Sequence, residues 1–299
     1  MDGITALTPE WRAWIVENLA RQCSHPSMVE AMVRSGFEAD AAQAAVAALA
    51  AQAAPAPARE PTAPVSARPA AYVYETPRLP AGNRIHAGDR EVQVLLRVNQ
   101  PVVAVLGDVL SASECDELIE RSRHKLERST TVDPASGGFK VIAERSSEGT
   151  FFALNADPLI ARLDRRLATL MGCPVENGEG LQILHYRSGG EYRPHFDYFP
   201  PDEAGSAVQM AVGGQRVATL VMYLNDVPRG GGTVFPRLGL EVCPAKGSAV
   251  YFEYTNSRGQ VDPLTLHGGA PVLEGEKWIM TKWMRQRRRE GVEPAPAAA

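Results

Sequence analysis

Two histidines and one aspartate are the clearest sign of chemistry in this sequence. His195 and Asp197 lie two residues apart in the run YRPHFDY, and His267 follows in the run LTLHGGA. If the first run is a β-strand, residues two apart share one face, so the imidazole and the carboxylate point the same way. His267 is the best candidate for a third ligand from a distant strand. Two histidines and one carboxylate on one side of a metal ion are typical of mononuclear iron(II) sites with open coordination positions.

Lys277 is a candidate for binding an anion beside this metal. It follows His267 by ten residues, and the pair Glu274-Gly275 between them predicts a turn. The histidine and the lysine can therefore lie on neighbouring strands. A lysine near a metal inside a protein needs a negatively charged partner. A dicarboxylic keto acid supplies one, because its keto-acid end chelates iron while its far carboxylate pairs with the ammonium group.

Three ordered segments extend this pattern, and together they resemble a known family. The segments YRSGGEYRPHFD, RVATLVMYLNDVPRGGGTVFP and LHGGAPVLEGEKWIMTKWMR are similar to the prolyl 4-hydroxylase branch of the 2-oxoglutarate oxygenases. The resemblance covers roughly residues 95–286 and implies a double-stranded β-helix, or jelly-roll, core. It implies that Tyr186, Thr233 and Lys277 bind 2-oxoglutarate, with iron(II) as the metal and O2 as the second co-substrate. It leaves open whether ascorbate is also required.

The same resemblance implies a substrate groove. Its residues are Arg145, Ser147, Glu179, Tyr192, Arg216 and Trp283. The run ERSSEGTFF, which contains the first two, resembles the family's mobile substrate loop. Arg285 stands where a histidine is expected in the plant-type enzymes, so substrate preference is expected to differ from theirs. The implied reaction is hydroxylation at carbon 4 of a prolyl residue in a peptide or protein.

Two other functions stay open on the sequence alone. One is hydroxylation of a free amino acid or another small metabolite by the same iron chemistry. The other is a non-catalytic jelly-roll module that presents a binding surface, although the intact triad and Lys277 count against it. The lysine also argues against branches that hold the co-substrate with arginine, which include the lysyl hydroxylases and the nucleic-acid demethylases.

The elements that must position these residues are mainly β-strands with flanking helices. Residues 93–107 alternate as two strands, and Ser111 with Glu114 predicts a capping box for a helix that reaches about residue 125. Asp157-Pro158 starts another helix, which ends at Gly172. The candidate strands that follow are LQILHY, ATLVMYLN, SAVYFEY and KWIMTKWM. Helices followed by strands predict an antiparallel sheet or a double-sheet barrel with helices packed outside.

Composition divides the chain into four parts. Residues 1–50 predict a small all-α module of three short helices, which loosely resembles a ubiquitin-associated module. Residues 51–74 are a Pro- and Ala-rich linker that cannot bury enough surface to offset its ordering entropy. Residues 75–290 form the predicted oxygenase domain, and residues 291–299 a flexible tail. The basic run Arg285–Arg289 indicates a solvated terminus.

Charge and cysteine usage indicate the setting of the enzyme. The formal net charge of −4 points neither to nucleic acid nor to a membrane surface. The apolar runs are too short to span a bilayer, and we identify no secretory signal. The cysteines are dispersed at Cys23, Cys115, Cys173 and Cys243, a pattern typical of thiols in a reducing compartment. We therefore expect a cytoplasmic enzyme that acts on a proline-containing peptide or protein, and residues 1–50 are a candidate for recruiting a further partner.

Overall fold

The computed structural model describes residues 4–20, 25–52, 71–133, 136, 138–140 and 145–288. The chain forms two compact units, of which the first ends at Pro69 and the second begins at Ala70. No helix in the described ranges is long and apolar enough to cross a membrane.

The first unit is built from three short helices, as the sequence predicts. They are α1 (Pro9–Ala20), α2 (His25–Arg34) and α3 (Ala39–Gln52). Thr8 Oγ1 accepts a hydrogen bond from the backbone N–H of Trp11 at 3.4 Å, which is the contact expected of an N-cap. The core of the unit is apolar and contains Ile15, Met28, Met32, Phe37, Ala42, Val46 and Leu49.

The second unit contains seventeen described strands and three helices. In chain order the strands are β1 (Arg84–His86), β2 (Glu91–Asn99), β3 (Val102–Gly107), β4 (Glu127–Arg128), β5 (Thr131–Val132), β6 (Phe139–Lys140), β7 (Glu148–Phe152), β8 (Leu181–Tyr186), β9 (Tyr192–His195), β10 (Arg216–Tyr223), β11 (Arg229–Gly230), β12 (Thr233–Phe235), β13 (Leu240–Val242), β14 (Ala249–Glu253), β15 (His267–Gly269), β16 (Val272–Glu274) and β17 (Lys277–Arg285). The helices are α4 (Ala112–Ser122), α5 (Pro158–Leu170) and α6 (Ala204–Ala211).

A nine-stranded antiparallel sheet forms the frame of this unit, in the order β1-β2-β3-β14-β10-β17-β8-β7-β4. Its central strands are buried on both faces, so each strand divides its side chains between two cores. On β8, for example, Leu181 and Ile183 belong to one core, whereas Leu184 and Tyr186 belong to the other. Residues of even and odd number on one strand therefore have different neighbours.

Helices α4 and α5 cover the first face of this sheet. Leu118 of α4 and Leu163 of α5 pack with sheet residues such as Ile183 in the larger core. Both helices begin as the sequence predicts. Ser111 and Glu114 form the capping box of α4, and the Asp157 side chain accepts hydrogen bonds from the backbone N–H groups that open α5.

A small sheet with the order β13-β12-β15-β9 covers the second face. Phe235 and Val242 from the small sheet pack with Tyr223 and Phe252 from the large one in a second core. Two antiparallel sheets stacked face to face with helices outside form the jelly-roll architecture, and the predicted fold class is confirmed.

The structure departs from the sequence interpretation at the start of the second unit. The backbone of Val73 donates to Gln260 Oε1 at 3.1 Å and accepts from Asn256 Nδ2 at 3.0 Å, and Glu75 accepts from the Ser257 backbone at 3.0 Å. Residues 71–74 are therefore tied to the oxygenase unit and do not belong to the linker. At its other end, residues 51–52 of the predicted linker belong to α3, while residues 53–70 and the predicted tail, residues 291–299, lie outside the described residues.

Candidate metal and co-substrate site

The strand register brings the three predicted metal ligands together. His195 ends β9, His267 begins β15, and the two residues are directly opposite in the antiparallel pair. Asp197 lies two residues beyond His195. One nitrogen from each histidine and one oxygen from Asp197 all lie within 4.8 Å of one another. His267 and Asp197 are buried, with 5% and 8% of their surface exposed, whereas His195 is partly exposed.

Both imidazole rings are held in the same way. His195 Nδ1 lies 2.9 Å from the Arg193 carbonyl oxygen, and His267 Nδ1 lies 3.0 Å from the Thr265 carbonyl oxygen. A carbonyl only accepts, so each Nδ1 carries the proton and donates it. The lone pair of each ring is therefore on Nε2, which is the atom nearest the Asp197 carboxylate in both residues. Such outer contacts orient metal-binding histidines.

Protonation states in the cluster suit a metal ion. Burial lowers the pKa of His267 to about 4, against the opposing effect of Asp197, so this ring is neutral at pH 7. Burial alone would raise the pKa of Asp197, but His267, His195 and Arg216 together hold it well below its usual range. The cluster thus offers a neutral nitrogen and an ionised carboxylate oxygen without releasing protons at neutral pH. This donor set fits iron(II) bound on one face.

The Asp197 carboxylate has a further partner that sequence reasoning missed. Thr219 Oγ1 donates to Asp197 Oδ2 at 2.7 Å, and Tyr254 Oη lies 3.0 Å from the same threonine oxygen. Both hydroxyl residues are fully buried. The only sequence signal was their polarity at positions of strands that are otherwise apolar, because a buried hydroxyl needs a hydrogen-bond partner.

Lys277 is a nearly unexposed cation near the metal cluster. It begins β17, and only 3% of its surface is exposed. A Cβ atom added to Gly269 would lie 3.6 Å from Lys277 Nζ, so the ammonium group reaches β15 two residues beyond His267. No carboxylate of the described residues lies within salt-bridge distance of it. Burial lowers the pKa of Lys277 to about 8, with Glu241 acting in the opposite direction.

The other two predicted co-substrate residues lie beside Lys277. Tyr186 is its partner in the β8–β17 register, and the ammonium nitrogen is 5.5 Å from the centre of the Tyr186 ring. Thr233 is buried and lies opposite Gly269 in the β12–β15 pair. Tyr223 was not predicted, but its hydroxyl donates to Thr233 Oγ1 at 2.7 Å. Lys277, Tyr186 and Thr233 are therefore brought together.

Three predicted substrate residues form a group that reaches His195. Arg145 is buried, donates to Ser147 Oγ at 3.2 Å and lies 4.9 Å from the Tyr192 ring centre. Tyr192 in turn stacks on the His195 ring with 3.7 Å between centroids. Gln182, which was not predicted, accepts from Arg145 Nη2 at 3.2 Å. The run expected to be a mobile loop, residues 144–152, lies within the described residues except for residue 144, and its larger part, Glu148–Phe152, forms strand β7.

The other three predicted substrate residues form a second group. Glu179 accepts two hydrogen bonds from Arg216, at 2.7 and 2.8 Å, and the Arg216 guanidinium lies 4.0 Å from the centre of the Trp283 ring. Arg216 also donates to the Asp197 carbonyl oxygen at 3.3 Å.

Arg285 joins this second group, which corrects its assignment to a solvated basic terminus. It is 4% exposed and donates to Glu179 Oε1 at 2.6 Å and to the Gly214 carbonyl oxygen at 2.7 Å. The sequence could not separate it from the basic run that follows, because β17 continues through Arg285 and pairs it with Arg216.

Known proteins resemble this chain over the same region. Residues 181–285 match the family described as the 2OG-Fe(II) oxygenase superfamily. Prolyl 4-hydroxylase 5 of Arabidopsis thaliana is 38% identical over 222 residues, which are 68% of this chain and 74% of that protein. Prolyl 4-hydroxylase subunit alpha-1 of Mus musculus is 33% identical over 218 residues, which are 71% of this chain and 41% of that subunit.

A viral collagen prolyl hydroxylase from Paramecium Bursaria Chlorella virus-1, solved as a 2OG complex, is 29% identical with a TM-score of 0.48. The match covers 61% of this chain and 95% of the viral one. The 38% identity to the Arabidopsis protein, over 74% of its length, shows the family of this chain. This chain therefore belongs to the prolyl 4-hydroxylase family of 2-oxoglutarate oxygenases, which use iron(II), 2-oxoglutarate and O2.

Proposed function

We propose that this protein hydroxylates carbon 4 of a prolyl residue in a peptide or protein. One observation carries the proposal: a His-Asp-His cluster with two buried members lies beside a buried lysine that has no carboxylate partner among the described residues. The relatives that are named prolyl 4-hydroxylases support the choice of substrate. The balanced reaction consumes the substrate C–H bond, 2-oxoglutarate and O2, and yields the hydroxylated product, succinate and carbon dioxide.

The metal ligands are His195, Asp197 and His267. Bound iron(II) would supply the activation of O2 that couples decarboxylation of 2-oxoglutarate to hydroxylation. The protein contributes the fixed position of three ligand atoms on one side, which leaves the other positions for the co-substrate and oxygen. Because Asp197 and His267 are buried, water has limited access to this side of the metal site, which would suppress competing reactions.

Lys277, Tyr186 and Thr233 would bind 2-oxoglutarate. The ammonium group of Lys277 compensates the carboxylate that lies far from the metal, and this pairing is strong because both groups are shielded from water. Tyr223 donates its hydroxyl hydrogen to Thr233, so the Thr233 hydroxyl is free to donate its own hydrogen to the same carboxylate. The three side chains thus fix the co-substrate at the end opposite the reacting keto acid.

The aromatic side chains near the cluster support a peptide substrate. Trp283 Nε1 is a buried donor with no hydrogen-bond partner in the described part of the chain, and a peptide carbonyl oxygen is the kind of acceptor it needs. The Tyr192 ring stacks on His195 and offers an apolar plane to a pyrrolidine ring. An extended proline-rich segment is already ordered before binding, so docking it costs little entropy.

Mass spectrometry of proline-containing peptides tests the proposal. The full-length enzyme is incubated with iron(II), 2-oxoglutarate, O2 and each peptide, and fragment spectra locate any gain of one oxygen. We expect the gain at proline, and none when that proline is replaced by alanine or when the enzyme carries Lys277→Ala. Parallel reactions with and without ascorbate measure whether that reductant is required. Faster turnover of a free amino acid or a small metabolite than of every peptide would sink the substrate assignment and leave the oxygenase chemistry intact.

We also propose that residues 1–50 recruit a partner or a protein substrate to the enzyme. The support is that the first unit has a core of its own and still exposes apolar side chains, with Val16 at 47% and Val33 at 41% exposure. Deletion of the unit should then lower turnover of a protein target but not of a short peptide. Equal loss on both substrates would contradict a recruiting role. The expected cytoplasmic location stays a prediction, which imaging of the tagged protein tests.

A further inference from the structure

Asp197 is the one member of the metal cluster that strand pairing does not hold. His195 and His267 are opposite each other in the β9–β15 pair, whereas Asp197 follows β9 and lies outside the strand. Two contacts from β10 compensate for this. Arg216 donates to the Asp197 carbonyl oxygen at 3.3 Å, and Thr219 donates to its Oδ2 at 2.7 Å. The position of the carboxylate therefore depends on β10.

The hydrogen bonds around Thr219 have only one consistent direction. An ionised carboxylate can only accept, so the single hydroxyl hydrogen of Thr219 goes to Asp197 Oδ2. The contact of 3.0 Å between Thr219 Oγ1 and Tyr254 Oη must then be donated by the tyrosine. The result is a directed chain from Tyr254 through Thr219 to Asp197, in which each hydroxyl strengthens the donor that follows it.

The register of the large sheet fixes both hydroxyl groups. Thr219 is opposite Phe252 in the β10–β14 pair, and Tyr254 lies two residues beyond Phe252, on the same face. The pairing continues past the end of β14, because the Tyr254 N–H donates to the Val217 carbonyl oxygen at 3.1 Å. Both side chains are fully buried. The position of the Thr219 hydroxyl that donates to Asp197 is therefore set by the pairing of β10 with β14.

We propose that the Tyr254–Thr219 hydroxyl pair positions the Asp197 carboxylate for the metal by fixing its rotation, with Oδ2 held 3.5 Å from His267 Nε2 and Oδ1 3.6 Å from His195 Nε2. This inference rests on the metal site of the proposed function and extends it to two residues that do not bind the ion. A carboxylate that offered one oxygen to the metal would leave more room for 2-oxoglutarate and O2 than one that rotated and offered both.

Titration with Co(II) under anaerobic conditions tests the inference on the full-length protein. The visible absorption of bound Co(II) gives both the affinity and a band whose intensity depends on the number and geometry of the ligands. Thr219→Val keeps the shape of the side chain and removes the donor, so we expect affinity to fall about 10- to 100-fold, with a changed band. Tyr254→Phe should cause a smaller fall, about two- to tenfold. Thr219→Ser restores a hydroxyl and should restore both affinity and band.

Tyr251→Phe is the matched control. Tyr251 is also fully buried and lies on β14, but its hydroxyl donates to Glu253 Oε1 at 2.9 Å, away from the metal cluster. Wild-type affinity and an unchanged band in both Thr219→Val and Tyr254→Phe would overturn the inference, as would an equal loss in Tyr251→Phe. Should Thr219→Val fail to fold, Tyr254→Phe decides alone. The titration contains neither 2-oxoglutarate nor peptide, so an error in the proposed substrate leaves its outcome unaffected.

Discussion

At the residue scale, the buried ammonium group of Lys277 favours the binding of an anion. Its desolvation makes the protonated form costly, which is why its pKa falls to about 8. A bound carboxylate reverses this effect, because an opposite charge at close range favours the ammonium form. Before 2-oxoglutarate binds, Lys277 is therefore near its titration point, and binding of the distal carboxylate restores its full positive charge.

The pH dependence of 2-oxoglutarate binding follows from this shift. Below pH 8 the lysine is charged before binding, so the affinity should be nearly constant down to the range in which the metal ligands take up protons. Above pH 8 the affinity should fall by up to about tenfold per pH unit, because a proton must then be taken up on binding. Calorimetric titration across this range measures it. Pyruvate lacks the distal carboxylate and should show no such fall, and a flat 2-oxoglutarate profile to pH 10 would contradict the role of Lys277.

Substitution of Lys277 tests the same contact by size and charge. Lys277→Ala leaves the distal carboxylate in a shielded site without its partner, at a cost of about 2–5 kcal/mol, so 2-oxoglutarate affinity should drop about 30-fold or more. Lys277→Arg should also bind poorly. The guanidinium fork is longer and wider than an ammonium group and would not fit a carboxylate placed for lysine. Unchanged titrations in both variants would remove Lys277 from the co-substrate site.

The residues that could be predicted are those whose spacing along the chain reports their geometry. His195 and Asp197 are two residues apart, so the period of a strand places them on one face. Thr219 and Tyr254 are 35 residues apart and meet only because β10 and β14 pair in one particular register. A single sequence does not specify that register. The metal ligands could therefore be predicted from the sequence, whereas the hydrogen bonds of Thr219 and Tyr254 beside them could not.

At the element scale, the side chains of strand β17 are divided between the two faces of the large sheet and have different roles on each. Lys277 and Trp283 lie on the same face of β17 as Ile279, which belongs to the second core, whereas Lys282 faces helix α5 and donates to Asp164 at 2.7 Å. Sequence reasoning recognised the strand from its apolar composition but could not tell the two lysines apart by role. It also missed strand β7 and helix α6, because neither has a clear start signal or a strong period.

The Lys282–Asp164 pair should be important for stability. Both side chains are 0% exposed, and Lys282 Nζ also donates to the Glu179 carbonyl oxygen at 2.6 Å. Lys282→Met would leave the Asp164 carboxylate buried without its cation, so the free energy of unfolding should fall by about 3–5 kcal/mol. Urea unfolding measures this change. Adding Asp164→Leu removes the uncompensated charge and should recover much of the loss.

Lys246→Met is the matched control for that experiment. Lys246 pairs with Asp116 at the surface, where the two side chains are 27% and 65% exposed. Because solvent screens such a pair, its loss should cost less than about 1 kcal/mol. Similar losses in Lys246→Met and Lys282→Met would show that burial of the Lys282–Asp164 pair does not increase its contribution to the free energy of unfolding.

At the scale of the whole molecule, the catalytic machinery lies in one of two units. All three metal ligands and all nine other predicted site residues come after Ala70, where the second unit begins. The family match, residues 181–285, covers only the later strands of this unit. The earlier residues are still part of the fold, since β2, β3, α4 and α5 complete the large sheet and its outer core.

A fragment of residues 71–299 should fold and hydroxylate a short peptide at the rate of the full chain, because every described site residue and the segment that contacts residues 253–260 are retained. A fragment of residues 76–299 should melt at a lower temperature. It lacks the backbone of Val73, which is bound at both its N–H and its carbonyl, and the contact between Glu75 and Ser257. Thermal unfolding followed by circular dichroism compares the two, with peptide turnover measured on each. Equal melting temperatures would mean that the oxygenase unit begins at residue 75 or later, as composition alone suggested, and an inactive 71–299 fragment would mean that the first unit takes part in the chemistry.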